Sequence, residues 1–320
     1  MNRPLRIVAS ALALAFASSD ALHAQTKYPV SPVNLVTHSS PGGGSDVFLR
    51  ELVKHLTPVM GTNFAIENVR GGSGAAAVAK VAKSAPNGGT FYATTPTYIQ
   101  TSLLSKPEIG YDGLDPIVVV FLDPEVIYTR AESPFKTLAD ALAYAKANPG
   151  RAKWGAANPA SLERIALERM KKAAGVQAAV VSHEGGGDLM INVLNGTLDF
   201  GIGEIQEIRA QLDAGKVRLL GVMTDKRLSD FPDLATAREQ GIDVVVTKFR
   251  GLAGPKGISD DIAAQWEQAV RRILASDAFK AEYMKESLVP IPMGRAEARA
   301  FTTKFAAEVT TTLKELGVIK

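Results

Sequence analysis

A chain of 320 residues with 46% hydrophobic and 22% charged residues carries enough apolar material for two domains of ordinary size. Its formal charge is only +3 and its basic residues are dispersed, which argues against a nucleic-acid partner. It has no cysteine, which excludes thiol catalysis, thiolate metal sites, disulfides and a lipid-modified N-terminal cysteine.

Residues 1–24 read as an export signal. Asn2, Arg3 and Arg6 form a positive start, and 7–17 is an apolar run of eleven residues, too short to span a bilayer. Leu22-His23-Ala24 before Gln25 offers a cleavage site. Beyond it no apolar stretch reaches about 18 residues, so a soluble periplasmic protein is expected.

Strands and helices then alternate. A strand at 33–37 leads through Pro41-Gly42-Gly43-Gly44 into a helix from Ser45, with Phe48, Leu49, Leu52, Val53, Leu56 and Val59 at three- and four-residue spacing. Strands follow at 64–68 and 91–94, separated by an Ala-rich helix that stops at 85–89. The pattern restarts with strands at 116–121 and 126–129 and a helix from Thr137 to Asn148. Further strands are read at 153–156, 178–181, 198–202, 219–223 and 244–247, with helices at 161–174, 187–195 and 205–214. Residues 259–316 read as mostly helical.

Such alternation predicts an α/β fold of parallel βαβ units in two halves. The C-terminal helices lack strands for a sheet of their own, so they are expected to return to the first half. The chain would then cross between halves twice, near 126–130 and near 245–250. That gives a signal at 1–24, a discontinuous domain I at 25–126 and 250–320, and domain II at 127–249. Two lobes joined by two crossing segments can close around a ligand held at the C-terminal ends of the strands.

The loops at those ends supply the candidate site residues. Gly43, Gly44, Ser45 and Asp46 open a helix whose free N–H groups and dipole suit an anion. The same loop reads equally as a tight turn with Ser45 or Asp46 as helix cap. It is neither a phosphate loop nor a dinucleotide fingerprint, since no Gly-Lys-Ser/Thr follows and Val47 stands where a third glycine would be. Thr95, Thr97 and Tyr98 end the third strand with hydroxyls, or cap the next helix. In the second half Asn158, Ser161 and Gly186 lie in loops before helices, and His183 ends a strand. Glu204 can accept a hydrogen bond from a ligand, or serve as an N-terminal helix acid. Arg250 offers a bidentate carboxylate fork on the second crossing, or an interdomain salt bridge. No metal-ligand spacing and no nucleophile elbow occur; His38 serving Ser45 as an exported serine hydrolase is a remote alternative without an acid partner.

Taken in order, these loops resemble the extracytoplasmic solute-binding proteins of tripartite tricarboxylate transporters, the Bug or TctC family. The resemblance rests on Pro41-Gly42-Gly43 with Asp46, on Glu67-Asn68 with Gly71-Gly72-Ser73-Gly74, and on Ala85-Pro86-Asn87-Gly88-Gly89-Thr90. It continues through Glu184-Gly185-Gly186-Gly187, Leu194-Asn195-Gly196-Thr197-Leu198-Asp199 and Phe231-Pro232-Asp233. It implies a two-lobed, type II-like Venus-flytrap fold with a discontinuous first domain, and no cofactor or metal. It implies a monomer that is not an enzyme and captures a small organic carboxylate, held by the loops 41–46 and 94–98 partly through water. It implies membrane permease subunits as partners; a sensor that presents its ligand to a receptor kinase would share the pocket. Lys248-Phe249-Arg250-Gly251 is similar to the Trp-Arg-Gly of citrate-like members, which implies a second ligand carboxylate at Arg250. The chain departs from the family at Asn158-Pro159-Ala160-Ser161, at His183-Glu184 and at Glu204, so di- and tricarboxylates and aromatic acids all stay open.

Overall fold

The computed structural model describes residues 28–320, so the export signal read at 1–24 lies outside the described residues. The first elements are β1 (Val33–Thr37), α1 (Gly44–Met60), β2 (Phe64–Asn68), α2 (Ala75–Ala82), β3 (Thr90–Thr94) and α3 (Pro96–Ser105). A long strand β4 (Leu114–Arg130) leads to α4 (Leu138–Ala147), β5 (Ala152–Ala156), α5 (Leu162–Ala174), β6 (Ala178–Ser182) and α6 (Gly186–Leu194). Next come β7 (Phe200–Glu204), α7 (Ile205–Asp213), β8 (Val217–Val222) and β9 (Thr247–Pro255). The chain finishes with α8 (Asp260–Leu274), α9 (Asp277–Lys285), β10 (Val289–Met293) and α10 (Arg295–Glu315).

The architecture is the expected two-lobed α/β fold. Its strands run in the order β2-β1-β3-β9-β4-β7-β5-β6, with β10 and β8 also on β4. Within each lobe the βαβ units are parallel: β1 with β2 and β3, β5 with β6 and β7. The sheet as a whole is mixed, because β9 and β4 run antiparallel to their neighbours.

The two strands that tie the lobes together differ most from expectation. Sequence patterning splits β4 at Asp123-Pro124-Glu125, yet it is one strand. Up to Pro124 it pairs with β9, and from Glu125 it pairs with β7 and β8. Pro124, which has no N–H to donate, sits where the partner changes. The run 244–247 is apolar because Val244 and Val246 pack into the second core, and β9 itself begins only at Thr247. The C-terminal segment also contributes a strand, β10, paired with β4.

Each lobe is held by apolar clusters of its own. In the first, amphipathic α8 buries Ala263, Trp266, Ala269, Val270 and Ile273 at helical spacing, with Ser259 capping its N-terminus. Trp266 packs edge-on against Phe91 and Phe64, with centroids 4.7 and 6.0 Å away. In the second, Trp154 packs on Phe200 beneath α5 residues Ala166, Leu167 and Met170. The C-terminal ends of the parallel strands face the crevice between the cores.

Candidate functional site

Two glycine-rich helix starts meet across this crevice. Helix α1 begins after Gly43 and α6 after Gly185, each without a side-chain cap. A Cβ on Gly43 would stand 3.3 Å from Gly186 N, and one on Gly187 would press into Pro41 O. The sequence reads these glycines as room for a ligand. The geometry adds a second reason: only glycine lets the two backbones approach this closely.

Behind them lies a buried ionic cluster on the crossing strands. On a strand, alternate residues share a face. Lys248 and Arg250 of β9 therefore point together, as do Asp123 and Glu125 of β4, and Asp123 is the ladder partner of Lys248. Lys248 Nζ sits 2.5 Å from Glu163 Oε1 and 3.1 Å from Glu125 Oε1, and also bonds Glu204. Arg250 Nε donates to Asp123 Oδ2 at 2.7 Å and Nη1 to Ser45 Oγ at 3.0 Å. Its Nη2 lies 2.9 Å from Glu204 Oε1. Gly44 makes this possible, because a Cβ there would stand 2.5 Å from both Arg250 Nη2 and Glu204 Oε2.

Glu125, Glu163 and Glu204 converge as metal ligands would. The Lys248 ammonium fills the place between them. Burial alone would lower the Lys248 pKa, but Glu125, Glu163 and Glu204 outweigh it and hold it well above its usual value. Burial would raise Glu204, but Lys248 and then Arg250 hold it far below the carboxylate range. Asp123 is pushed up to about 6, by burial first and against the pull of Arg250. Burial likewise drives Glu125 and Glu207 well above the ordinary carboxyl value.

Gly44, Ser45, Thr95, Thr97, Asn158, Gly186, Glu204 and Arg250, all proposed from sequence, line this cavity. The free space is about 20 Å³, room for about one water, so the lobes must part to admit anything larger. The other five candidates lie elsewhere. Gly43 backs the loop contact just described. Asp46 braces its own loop, accepting from Gly42 N, Asn68 Nδ2 and the Arg50 fork at 2.8–3.0 Å. Burial would raise its pKa, but the Arg50, Gly42 and Asn68 hydrogen bonds prevail and lower it. Tyr98 packs in a first-lobe cluster apart from the Trp266 core, tilted against Tyr92 and edge-on to Tyr111. Ser161 caps α5 through Arg164 N, and His183 Nδ1 faces Ala156 O at 3.2 Å.

Sequence reasoning missed Glu163, Glu207 and Lys248, which line the cavity, and Asp123 and Glu125 behind it, and it named His38, also on the lining, only as a remote base for Ser45. The available signal was the i, i+2 repeat of charges on the two crossing strands. His38 Nδ1 bonds Tyr92 Oη at 2.8 Å, while Ser45 Oγ is taken by Arg250. Burial first, then Lys248 and Arg250, lower the His38 pKa to about 3, which leaves it neutral.

The lobes also meet at the rim, where Arg70 pairs with Asp188 and Arg209 Nε lies 3.2 Å from Glu286 Oε2. Arg70 is 43% exposed, and solvent screening keeps such pairs below about 1 kcal/mol. Arg70→Ala is therefore expected to lower unfolding stability by no more than about 1 kcal/mol in a urea titration. A loss several times larger would make this rim pair, and not the buried cluster, the main tie between the lobes.

A family model described as the tripartite tricarboxylate transporter family receptor matches residues 48–318. A UPF0065 protein of Cupriavidus necator is 26% identical over 318 residues, covering 98% of this chain and 96% of its own. An R. palustris protein solved with adipate superposes with a TM-score of 0.85 at 25% identity, covering 91% of this chain and 98% of the other. The periplasmic binding protein BugD superposes with a TM-score of 0.85 at 23% identity, over 92% and 100% of the two chains.

Proposed function

The chain belongs to the tripartite tricarboxylate transporter receptor family, and from that premise we propose that it is an exported, periplasmic solute-binding protein that captures a small organic carboxylate between its lobes and delivers it to membrane permease subunits. The observation that carries this reading is the cavity itself. It lies where two uncapped helix N-termini and the Thr95–Thr97 turn converge, on the strands that join the lobes. Free N–H groups and hydroxyls at that point suit one carboxylate. The adipate held by the R. palustris relative supports the ligand class. The reading is of a binding protein: ligand enters while the lobes are apart, and closure presents the loaded form to the partner. Among the described residues, no helix is long and apolar enough to cross a membrane.

The test is a thermal-shift screen of mono-, di- and tricarboxylates and aromatic acids. A true ligand at about 100 times its Kd adds about 2.7 kcal/mol, a rise of several degrees. A screen in which no carboxylate raises the melting temperature sinks the proposal. Ser45→Ala removes a hydroxyl at the first turn of α1 and leaves Arg250 Nη1 without its acceptor. It is expected to weaken binding of the ligand so identified about ten-fold in calorimetry.

A further inference from the structure

The buried cluster holds five carboxyls, Asp123, Glu125, Glu163, Glu204 and Glu207, against two cations, Lys248 and Arg250. With every group ionised it would carry three surplus negative charges. Lys248 is enclosed by three carboxyls. Arg250 gives Nε to Asp123 and Nη1 to Ser45, while its Nη2 lies 2.9 Å from Glu204 Oε1 without a hydrogen bond. A second ligand carboxylate at Arg250 would lie beside Asp123 and Glu204, and would add charge of the sign already in excess.

Unmet acceptors point the same way. Glu163 is 1% exposed and lines the cavity, yet its Oε2 accepts no hydrogen bond. Glu207 Oε1 is likewise covered and unbonded, pressed against Gly186, where a Cβ would overlap it. Carboxylate oxygens require donors, and an ammonium supplies three.

We propose that the ligand of this pocket carries a cationic nitrogen (an ammonium, amidinium or guanidinium) as its second charged group, received by Glu163 and Glu207 of the second lobe. This rests on the carboxylate reading above, which places the ligand's acid at the two uncapped helix N-termini and the Thr95–Thr97 turn. It excludes di- and tricarboxylates as preferred ligands.

The protonation pattern supplies a second signature. Burial, then the Glu204 charge and a hydrogen bond to Glu204, favours the protonated form of Glu207. Glu163 from α5, Lys248 from β9 and Tyr128 from β4 also face it. Glu125 is raised by burial against the pull of Lys248, with Glu163, Glu204 and Asp123 around it. A ligand cation stabilises the ionised forms, so binding releases protons and affinity rises with pH.

Calorimetry with chain-length-matched sets tests this: a dicarboxylate such as adipate, the ω-amino acid of the same length, and the corresponding diamine. The amino acid of at least one set is expected to bind about 100-fold more tightly than its diacid. Its affinity is expected to rise up to about ten-fold per pH unit for each proton released. Glu207→Gln should weaken the amino acid about ten-fold or more and flatten that pH dependence. A diacid that binds more tightly overturns this inference while leaving the carboxylate function intact. A diamine that binds as tightly as the amino acid upholds the cation site and removes the carboxylate function. No binding by any member of any set overturns both.

Discussion

Lys248→Met is expected to destabilise the protein by about 3–5 kcal/mol at neutral pH, the usual cost of removing one partner from a buried ion pair. Methionine nearly matches the lysine stem, so the loss is of charge and not of packing. Among the described residues, the ammonium is the only group within bonding distance of all of Glu125, Glu163 and Glu204. Without it, three carboxyls face one another with Arg250 alone nearby, and two of that guanidinium's three nitrogens are committed to Asp123 and Ser45.

The sign of the pH dependence separates this cause from lost packing. In the wild type, Lys248 is the largest influence lowering the Glu204 pKa. A carboxyl held below its unfolded value stabilises the fold above that value, and the benefit is lost as the pH falls through the folded pKa. In the variant, burial dominates and the cluster binds protons that the unfolded chain releases. Stability then falls as pH rises above the unfolded value, about 4.3 for Glu. The variant's deficit should be largest near pH ~7.5 and shrink toward pH ~5. Urea titrations at both values measure it. A deficit under about 1 kcal/mol, or one equal at both pH values, would show that the ammonium does not hold the cluster together.

What could be read from the sequence, and what could not, follows from the same strands. Gly44, Ser45, Thr95, Thr97, Asn158, Gly186 and Glu204 stand where a parallel strand hands over to a helix. That grammar puts a residue at the crevice whatever the rest of the chain does. The charged cluster has no such local mark. Asp123-Pro124-Glu125 reads as a break, because polar residues beside a proline normally leave the sheet. Only the change of partner from β9 to β7 keeps them buried in one continuous strand. Lys248 beside Arg250 suggests a solvated stretch until β9 is paired antiparallel to β4, which turns both cations toward the same acids. Glu163 and Glu207 sit on helices of the second lobe, and their partners are set by tertiary packing. Tyr98 and Ser161 show the converse: each lies beside a loop read from the sequence, but the ring packs against Tyr92 in the first lobe and the hydroxyl caps a helix.

Gly187→Leu is expected to abolish ligand binding while leaving the unliganded protein as stable as the wild type or slightly more so. Gly187 lies in the first turn of α6, where leucine is favoured over glycine by up to about 1 kcal/mol. The nearest atoms to a Cβ there are all on the other lobe: Pro41 O, Ser40 Oγ at 3.1 Å and Gly43 N at 3.5 Å. Pro41 O is backbone and cannot swing aside, and an isobutyl group in its place would hold α6 away from the 41–44 loop. The cavity between Gly44, Gly186 and Glu204 would then stay open to water. A ligand would lose the second half of its contacts, about 100-fold or more in affinity. The melting temperature without ligand should shift by no more than a few degrees, and the ligand-induced rise should vanish. Small-angle scattering should show no contraction on adding ligand. Wild-type affinity in this variant would mean that ligand binds without the meeting of the two glycine loops. The loops would then be a packing contact, and the capture site would lie on one lobe alone.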